Sequence, residues 1–261
     1  MYDHEILEHY AQVSKLEGHL DSCTMADQKI REIESNFILD GIRNYIDNNS
    51  NEDIKLLDVG CGNGFTLDLI RHEFPKLKLS GIEFTPELRS IANKKGPLNI
   101  PYGDVRDALT IPTEQDIIIS QRVLINLLNQ TDQKVAFHNL INSLRVGGIL
   151  IIIEAFASGL NNLNKCRVEL GLSQIAPASH NLYFEDDFLK CSRNVIEVST
   201  SHGSNILSTH YFISRVLHDL ALAATNSSFV RNSLFSKFFD EALPVGIGEF
   251  SPIKCHILKK I

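Results

Sequence analysis

"LLDVGCGNGFTLDLI", residues 56–70, decides how the rest of the chain is read. An apolar run ends in Asp58, passes through Gly60, Gly62 and Gly64, and resumes with helical spacing. Glycines this close together after a strand let a backbone turn tightly and let a ligand touch main-chain N–H groups. A dinucleotide fingerprint, G-x-G-x-x-G, needs a third glycine where this sequence has Phe65, and a phosphate-binding Walker loop needs a Gly-Lys-Ser/Thr ending that is absent. Nineteen residues after Gly64, at the end of the next apolar run, stands Glu83. A carboxylate at that place can accept both hydrogen bonds of a ribose diol, so the pattern indicates a nucleoside held by its sugar.

Outward from this loop, strand and helix signals alternate. "IKLLDV" (54–59) predicts a strand, "FTLDLIRHEF" (65–74) a helix stopped by Pro75, and "LKLSGIEF" (77–84) a second strand. "TPELRSIANKK" (85–95) predicts a helix, with Thr85 as cap and Pro86 in the first turn, ended by Gly96-Pro97. A short strand at "LNI" (98–100), strands at "DIIIS" (116–120) and "GILIIIE" (148–154), and a helix through "DQKVAFHNLINSL" (132–144) complete the series. Such alternation implies βαβ units and a parallel sheet. Residues 1–50 read as helical. Beyond Glu154 we expect a helix over 161–171, a loop around "APASHNLYF" (176–184), a strand at "NVIEVS" (194–199), a helix over about 209–224 and a last strand in "SPIKCHILKK" (251–260).

Composition excludes some function classes. The 261-residue chain has a formal charge of −7, which argues against a broad nucleic-acid-binding face. The start is polar and acidic, without a secretory signal, and the longest apolar run is too short to span a bilayer. Five scattered cysteines form no CxxC pair, offer no zinc site and suit a reducing compartment. The expectation is a cytoplasmic protein without membrane insertion or bound metal; self-association as a homodimer is left open.

Five segments in register, "DVGCGNG", "GIEFTPELRSIA", "YGDVRDAL", "DIIISQRVLINLL" and "LRVGGILIIIE", together resemble the class I S-adenosylmethionine-dependent methyltransferases over about residues 54–155. The resemblance implies an α/β, Rossmann-like, seven-stranded, mostly parallel sheet with helices on both faces. It divides the chain into an N-terminal helical lid (1–50), a cofactor-binding core (51–155) and a C-terminal half (156–261) that completes the sheet and adds substrate-side insertions. It implies that Asp58, Gly60, Cys61, Gly62 and Gly64 face the methionine part of the cofactor and that Glu83 takes the ribose, with Phe84 against the adenine. Asp104 and the backbone of Val105 would meet the adenine edge, and Gln121 and Arg122 would line the floor beneath the methyl donor.

The fourth strand ends in "SQRVLIN" rather than the Asn/Asp-Pro-Pro-aromatic tetrad of enzymes that methylate nucleobase or glutamine amides. The second half is similar to methyltransferases that tailor sugars and surface polysaccharides, in "EAFASGLNNLNKCRVELGL", "SHNLYF" and "GEFSP", and "MADQKIREIE" resembles their lid, with Asp27 and Arg31 as contacts. The expected reaction is methyl transfer to an oxygen or nitrogen of a small polar acceptor, a sugar or nucleotide-sugar. His180 and Glu154 are the candidates for acid–base work, and Arg122, Asn181, Tyr211 and Arg215 for substrate contacts. Asn161, Asn162 and Asn164 suit either a polyol or helix capping. Competing readings are a nicotinamide-dependent oxidoreductase and a non-catalytic methyltransferase-like subunit.

Overall fold

The computed structural model describes residues 3–20, 23, 25–50, 53–198, 200 and 203–261. Helices α1 (Asp3–Glu17) and α2 (Gln28–Asp47) precede β1 (Lys55–Val59), α3 (Phe65–Glu73), β2 (Lys78–Ile82) and α4 (Pro86–Lys95). Then come β3 (Gln115–Gln121), α5 (Gln130–Ser143), β4 (Leu144–Ala155) and α6 (Ala157–Glu169). The last part holds β5 (Val195–Glu197), α7 (Ser208–Phe212), a π-helical turn (Ile213–Leu217), α8 (His218–Thr225), α9 (Leu234–Ala242) and β6 (Ile253–Lys260).

The sheet runs β2-β1-β3-β4-β6-β5, parallel from β2 through β4 and antiparallel where β6 joins β4 and β5 joins β6. Its isoleucine-rich centre explains the continuous apolar runs. Along β3, Ile117 and Ile119 face the layer that contains α2, while Ile118 faces the layer that contains α5. Along β4, Ile149, Ile151 and Ile153 face the α2 layer, and Leu150 and Ile152 the α5 layer. Both faces are covered, so neither strand alternates with polar residues. On one side Ile30, Phe37, Ile38 and Ile42 of α2 fill the core; on the other Phe137, Leu140 and Ile141 of α5 do.

Six strands lie among the described residues, not seven. The segment 98–100 forms no strand because the Asn93 side chain takes both backbone groups of Ile100, at 2.7 and 3.1 Å, so a neighbouring strand has nothing there to pair with. Pro97 and Pro101, which bracket it, also lack ladder donors. Among the described residues, a bridge between Glu83 and Tyr102 extends the edge beyond β2. Position 199, in the expected strand 194–199, lies outside the described residues, and β5 keeps just Val195–Glu197. Thr85 precedes α4 as expected but makes no side-chain cap bond. The expected helix 161–171 begins earlier, at Ala157, directly after Phe156 bridges to Phe184. Helix α9, missed in the sequence, is capped by Ser233, whose hydroxyl accepts from the Ser236 N–H at 3.2 Å.

Candidate active site

β1 is flanked by β2 on one side and β3 on the other, so the chain order reverses across it and a crevice opens at the strands' carboxyl ends. A cavity of about 360 Å³ occupies that crevice. Its walls come from the loops after β1, β2 and β3, from the 103–106 loop, from α1 and from residues 180–183.

The glycine loop shapes one wall. Gly60, Gly62 and Gly64 all have positive φ, the left-handed region that disfavours side chains. A Cβ on Gly60 would stand 2.7 Å from Val123 Cγ2, so this glycine lets the loop lie against the turn after β3. A Cβ on Gly62 would meet nothing within 4 Å, because that position faces the open cavity. Gly64 is not part of the cavity wall; it precedes α3 with φ 80° and packs on Ala92. Phe65, the residue that departs from a dinucleotide fingerprint, carries the Arg31 guanidinium over its ring at 4.5 Å.

Glu83, at the end of β2, is 5 % exposed. Its Oε2 accepts from the Gly62 N–H at 2.8 Å and its Oε1 from the Thr85 N–H at 2.7 Å. Each oxygen keeps a lone pair, and the carboxylate lines the cavity. Burial pushes its pKa up, against the pull of those two N–H groups. Asp58 is 3 % exposed, and its Oδ2 has no hydrogen-bond partner. Burial, followed by the charge of Glu83, pushes its carboxyl up to about 8. A buried, unpaired carboxyl is costly, and a cationic ligand group would relieve it.

The turn after β3 forms the floor. Arg122 has φ 56°, rare for a side-chain-bearing residue, and its guanidinium meets Glu34 of α2 at 2.5 and 2.6 Å. Glu34 is fully buried and also accepts from Gln121 Nε2 at 2.7 Å. Gln121 and Arg122 are thus braced from behind by a segment that the sequence marked only as helical. Glu34 was missed because its partner lies 88 positions along the chain.

At the far wall, Phe84 and Val105 line the cavity with Asp104. Asp104 differs from expectation. Its oxygens take the Arg106 Nε at 2.9 and 3.1 Å, the Arg106 Nη2 at 2.7 Å and the Arg106 N–H at 2.9 Å. These bonds hold its pKa below the usual range although burial opposes them. Arg106 continues to Asp3 of α1 at 2.8 Å and so ties the helix over the cavity. The Val105 carbonyl accepts from Asn139 at 2.9 Å.

His180 and Asn181 border the cavity together with Tyr211 and Tyr183. The His180 ring stacks on His9 of α1 at 3.8 Å. Burial lowers the pKa of both imidazoles, and the His9 charge lowers His180 further, so both are neutral near pH 7.

Several expected site residues lie elsewhere. Glu154 is fully buried behind the floor, where Ser120 Oγ and the N–H groups of Val123, Leu124 and Ile125 donate to it at 3.0–3.2 Å. Burial pushes it up to about 7 against these donors. It fixes the turn carrying Arg122 and does not reach the cavity, so its acid–base role is withdrawn. Arg215 donates to Asp27 at 3.1 Å outside the cavity, so it is withdrawn as a substrate contact. Asn162 donates to the Glu249 carbonyl, and Asn164 pins Ile175 in both directions, so both hold loops inside helix α6. Asn161 also lies within α6 and outside the cavity.

Asp27 caps α2 through the Ile30 N–H instead of meeting the cofactor, whereas Arg31 does line the cavity. Asp27 also meets His210, which sits between Asp27 and Asp240 at 2.9–3.1 Å. Burial alone would lower the His210 pKa, but the bonds to Asp240 and Asp27 hold it above its ordinary 6.5. A raised histidine contributes stability fully present below 6.5 and lost as pH rises through the folded value. Asp27 is held below its ordinary 3.8, although burial opposes this, so its share is lost only in acid. The melting temperature is therefore expected to fall as pH rises from 6.5 through the raised folded value of His210. His210→Gln should melt lower at pH 6 and flatten that slope; an equal slope in both proteins would contradict the assignment.

Comparisons with known proteins agree with this geometry. Residues 56–148 match a family model described as a methyltransferase domain. A malonyl-[acyl-carrier protein] O-methyltransferase of Priestia megaterium (strain DSM 319) is 27% identical over 60% of this chain and 50% of its own. A protein of the same name from Bacillus anthracis is 25% identical over 69% of this chain and 68% of its own. The chain thus spans about half the length of the first of these relatives. Among solved structures, a geranyl diphosphate C-methyltransferase of Streptomyces coelicolor A3(2), 11% identical, superposes with a TM-score of 0.54 over 90% of this chain and 82% of that one, a likeness of fold.

Residues 56–148 are thus similar to a methyltransferase domain, and the motifs they carry resemble those of the class I, S-adenosylmethionine-dependent kind. The cofactor of that class fits the residues present. Its amino group would meet the unpartnered Asp58 Oδ2, its ribose the two remaining lone pairs of Glu83, and its bulk the space beside Gly62. With the Asp58 carboxyl up at about 8, binding of an ammonium group at pH 7 should release close to one proton. Calorimetry with S-adenosylhomocysteine in two buffers of different ionisation enthalpy checks this; no proton release would place the amino group elsewhere.

Proposed function

We propose that this protein transfers a methyl group from S-adenosylmethionine to an oxygen or nitrogen of a small polar metabolite of the sugar or nucleotide-sugar class. One observation carries the reading. The cavity that holds the cofactor-type carboxylates Asp58 and Glu83 continues, in one space, to polar aromatic groups on α1 and residues 180–183. The cofactor, when bound, supplies a methyl group already activated by its sulfonium. The protein's work is then alignment, which can remove up to ~7–11 kcal/mol of a barrier.

For a hydroxyl acceptor the new C–O bond forms as the C–S bond breaks, and the hydroxyl proton needs a base. His9 and His180 are neutral near pH 7 and border the cavity, so either can accept it. Asn181, Tyr183 and Tyr211 supply further polar edges.

A second reading comes from the two relatives, whose names place their methyl group on a malonyl carboxylate. That acceptor is an anion and calls for a cation. The arginines of this cavity are engaged: Arg122 by Glu34, Arg106 by Asp104 and Asp3, and Arg31 by the Cys23 and Met25 carbonyls. With these cations engaged, the cavity favours an acceptor whose methylated atom is an uncharged hydroxyl or amine. The Phe65 position and the family match leave no support for the oxidoreductase reading.

The test is transfer of label from tritiated S-adenosylmethionine to a panel of hexoses, 6-deoxyhexoses and nucleoside-diphosphate hexoses, with malonyl-N-acetylcysteamine as comparator. Label in a sugar supports the proposal. Label in the thioester alone supports the second reading. A protein that binds the cofactor yet methylates nothing fits the non-catalytic subunit.

A further inference from the structure

Five buried side-chain N or O atoms lack a hydrogen-bond partner among the described residues, and two of them belong to residues that line the same cavity. One is Asp58 Oδ2, on the cofactor side. The other is Asn126 Oδ1, which no part of the cofactor reading uses.

The orientation of the Asn126 amide is fixed. Its Nδ2 donates to the Arg122 carbonyl at 2.9 Å, and a carbonyl can only accept, so the nitrogen must face that way. The same Nδ2 donates to the Tyr10 hydroxyl at 3.0 Å. Tyr10 comes from α1, 116 positions away. With its oxygen accepting from Asn126, the Tyr10 hydrogen is left free to donate to another group. Burial raises the Tyr10 pKa more than the Asn126 bond and Arg122 lower it, so the hydroxyl stays protonated. The two side chains together offer one donor, Tyr10 O–H, and one acceptor, Asn126 Oδ1. His9 packs edge-on against Tyr10 at 5.0 Å, and its partner His180 lies 6.3 Å from the Tyr10 ring.

We infer that Tyr10 and Asn126 form the acceptor-positioning subsite, and that it takes a neutral hydroxyl of the substrate. The inference rests on the methyltransferase reading and narrows its acceptor. A hydroxyl both donates and accepts, so one group satisfies Asn126 Oδ1 and the Tyr10 hydrogen at once. A carboxylate only accepts and would bring its charge against the Asn126 oxygen. An ammonium only donates and would leave the Tyr10 hydrogen unmet. Asn126 Oδ1 is shut off from solvent, so a substrate hydroxyl reaches it only once the Tyr10–Asn126 contact opens.

The experiment compares wild type with Tyr10→Phe and Asn126→Leu, both close in size to the original residues. Two readouts are taken: S-adenosylhomocysteine affinity by calorimetry, and KM and kcat for the sugars of the panel that the wild type methylates. We expect cofactor affinity within about twofold of wild type and KM for the sugar raised about five- to tenfold per variant, the loss of one neutral hydrogen bond. A merely structural role would lower the melting temperature and weaken S-adenosylhomocysteine as well. Unchanged KM in both variants overturns the subsite, as does methylation by wild type of malonyl-N-acetylcysteamine alone. Failure of wild type to bind S-adenosylhomocysteine instead overturns the methyltransferase reading beneath it.

Discussion

Glu83→Ala is expected to weaken S-adenosylhomocysteine binding by about 3 kcal/mol, or roughly a hundredfold, the sum of two charge-assisted hydrogen bonds at the low end of their range. The carboxylate has two tasks that this substitution removes together. It holds the Gly62 and Thr85 N–H groups at 2.8 and 2.7 Å, and it presents its remaining lone pairs to the cavity. Glu83→Gln separates them. The amide keeps one oxygen for a backbone N–H but turns its NH2 toward the other, so affinity should fall by less than in the alanine variant. Calorimetry measures both variants, and thermal melting controls for the loss of the loop anchor. An unchanged affinity in Glu83→Ala would mean that the ribose is not bound there.

The largest stability effect is expected from Glu34→Ala, which strands the Arg122 guanidinium beneath the cavity floor. Removing one partner of a buried ion pair typically costs about 3–5 kcal/mol. For a chain of this size that is a fall of roughly 10 °C in melting temperature. Glu34 is fully buried and Arg122 close to it, so solvent cannot replace the lost partner. The double variant Glu34→Leu/Arg122→Leu should recover much of that stability, because an apolar pair of similar volume is often as stable as the ions it replaces. It should not recover methyl transfer, since Gln121 loses its brace on Glu34 as well. Thermal unfolding of the two single variants and the double variant completes the cycle. Additive losses would show that the pair is not coupled.

The gathering of Asp58, Glu83 and Gln121 at one cavity was legible in the sequence because these residues sit at strand ends a fixed distance along the chain. Asp58, Glu83 and Gln121 each terminate an apolar run, and the parallel order of β2, β1 and β3 brings those ends together. Glu154 ends a run in the same way, yet it is drawn behind the turn 123–125 by three backbone N–H groups. A strand-end position shows where a side chain begins, not which groups compete for it. Tyr10, Asn126 and Glu34 were illegible for a different reason. Each gains its meaning from a partner more than 80 positions distant, and a helical stripe in α1 or α2 looks the same whether its polar residues meet water or a cavity. The strand expected at 98–100 failed through local competition, since the Asn93 amide occupies the bonds of Ile100.

Titration of the folded protein with S-adenosylhomocysteine is the most direct measurement of the central claim. The site built by Asp58, Gly62 and Glu83 predicts saturable one-to-one binding that releases a proton near pH 7 and weakens in Glu83→Ala. A folded protein that shows no heat and no thermal stabilisation with the ligand would contradict it.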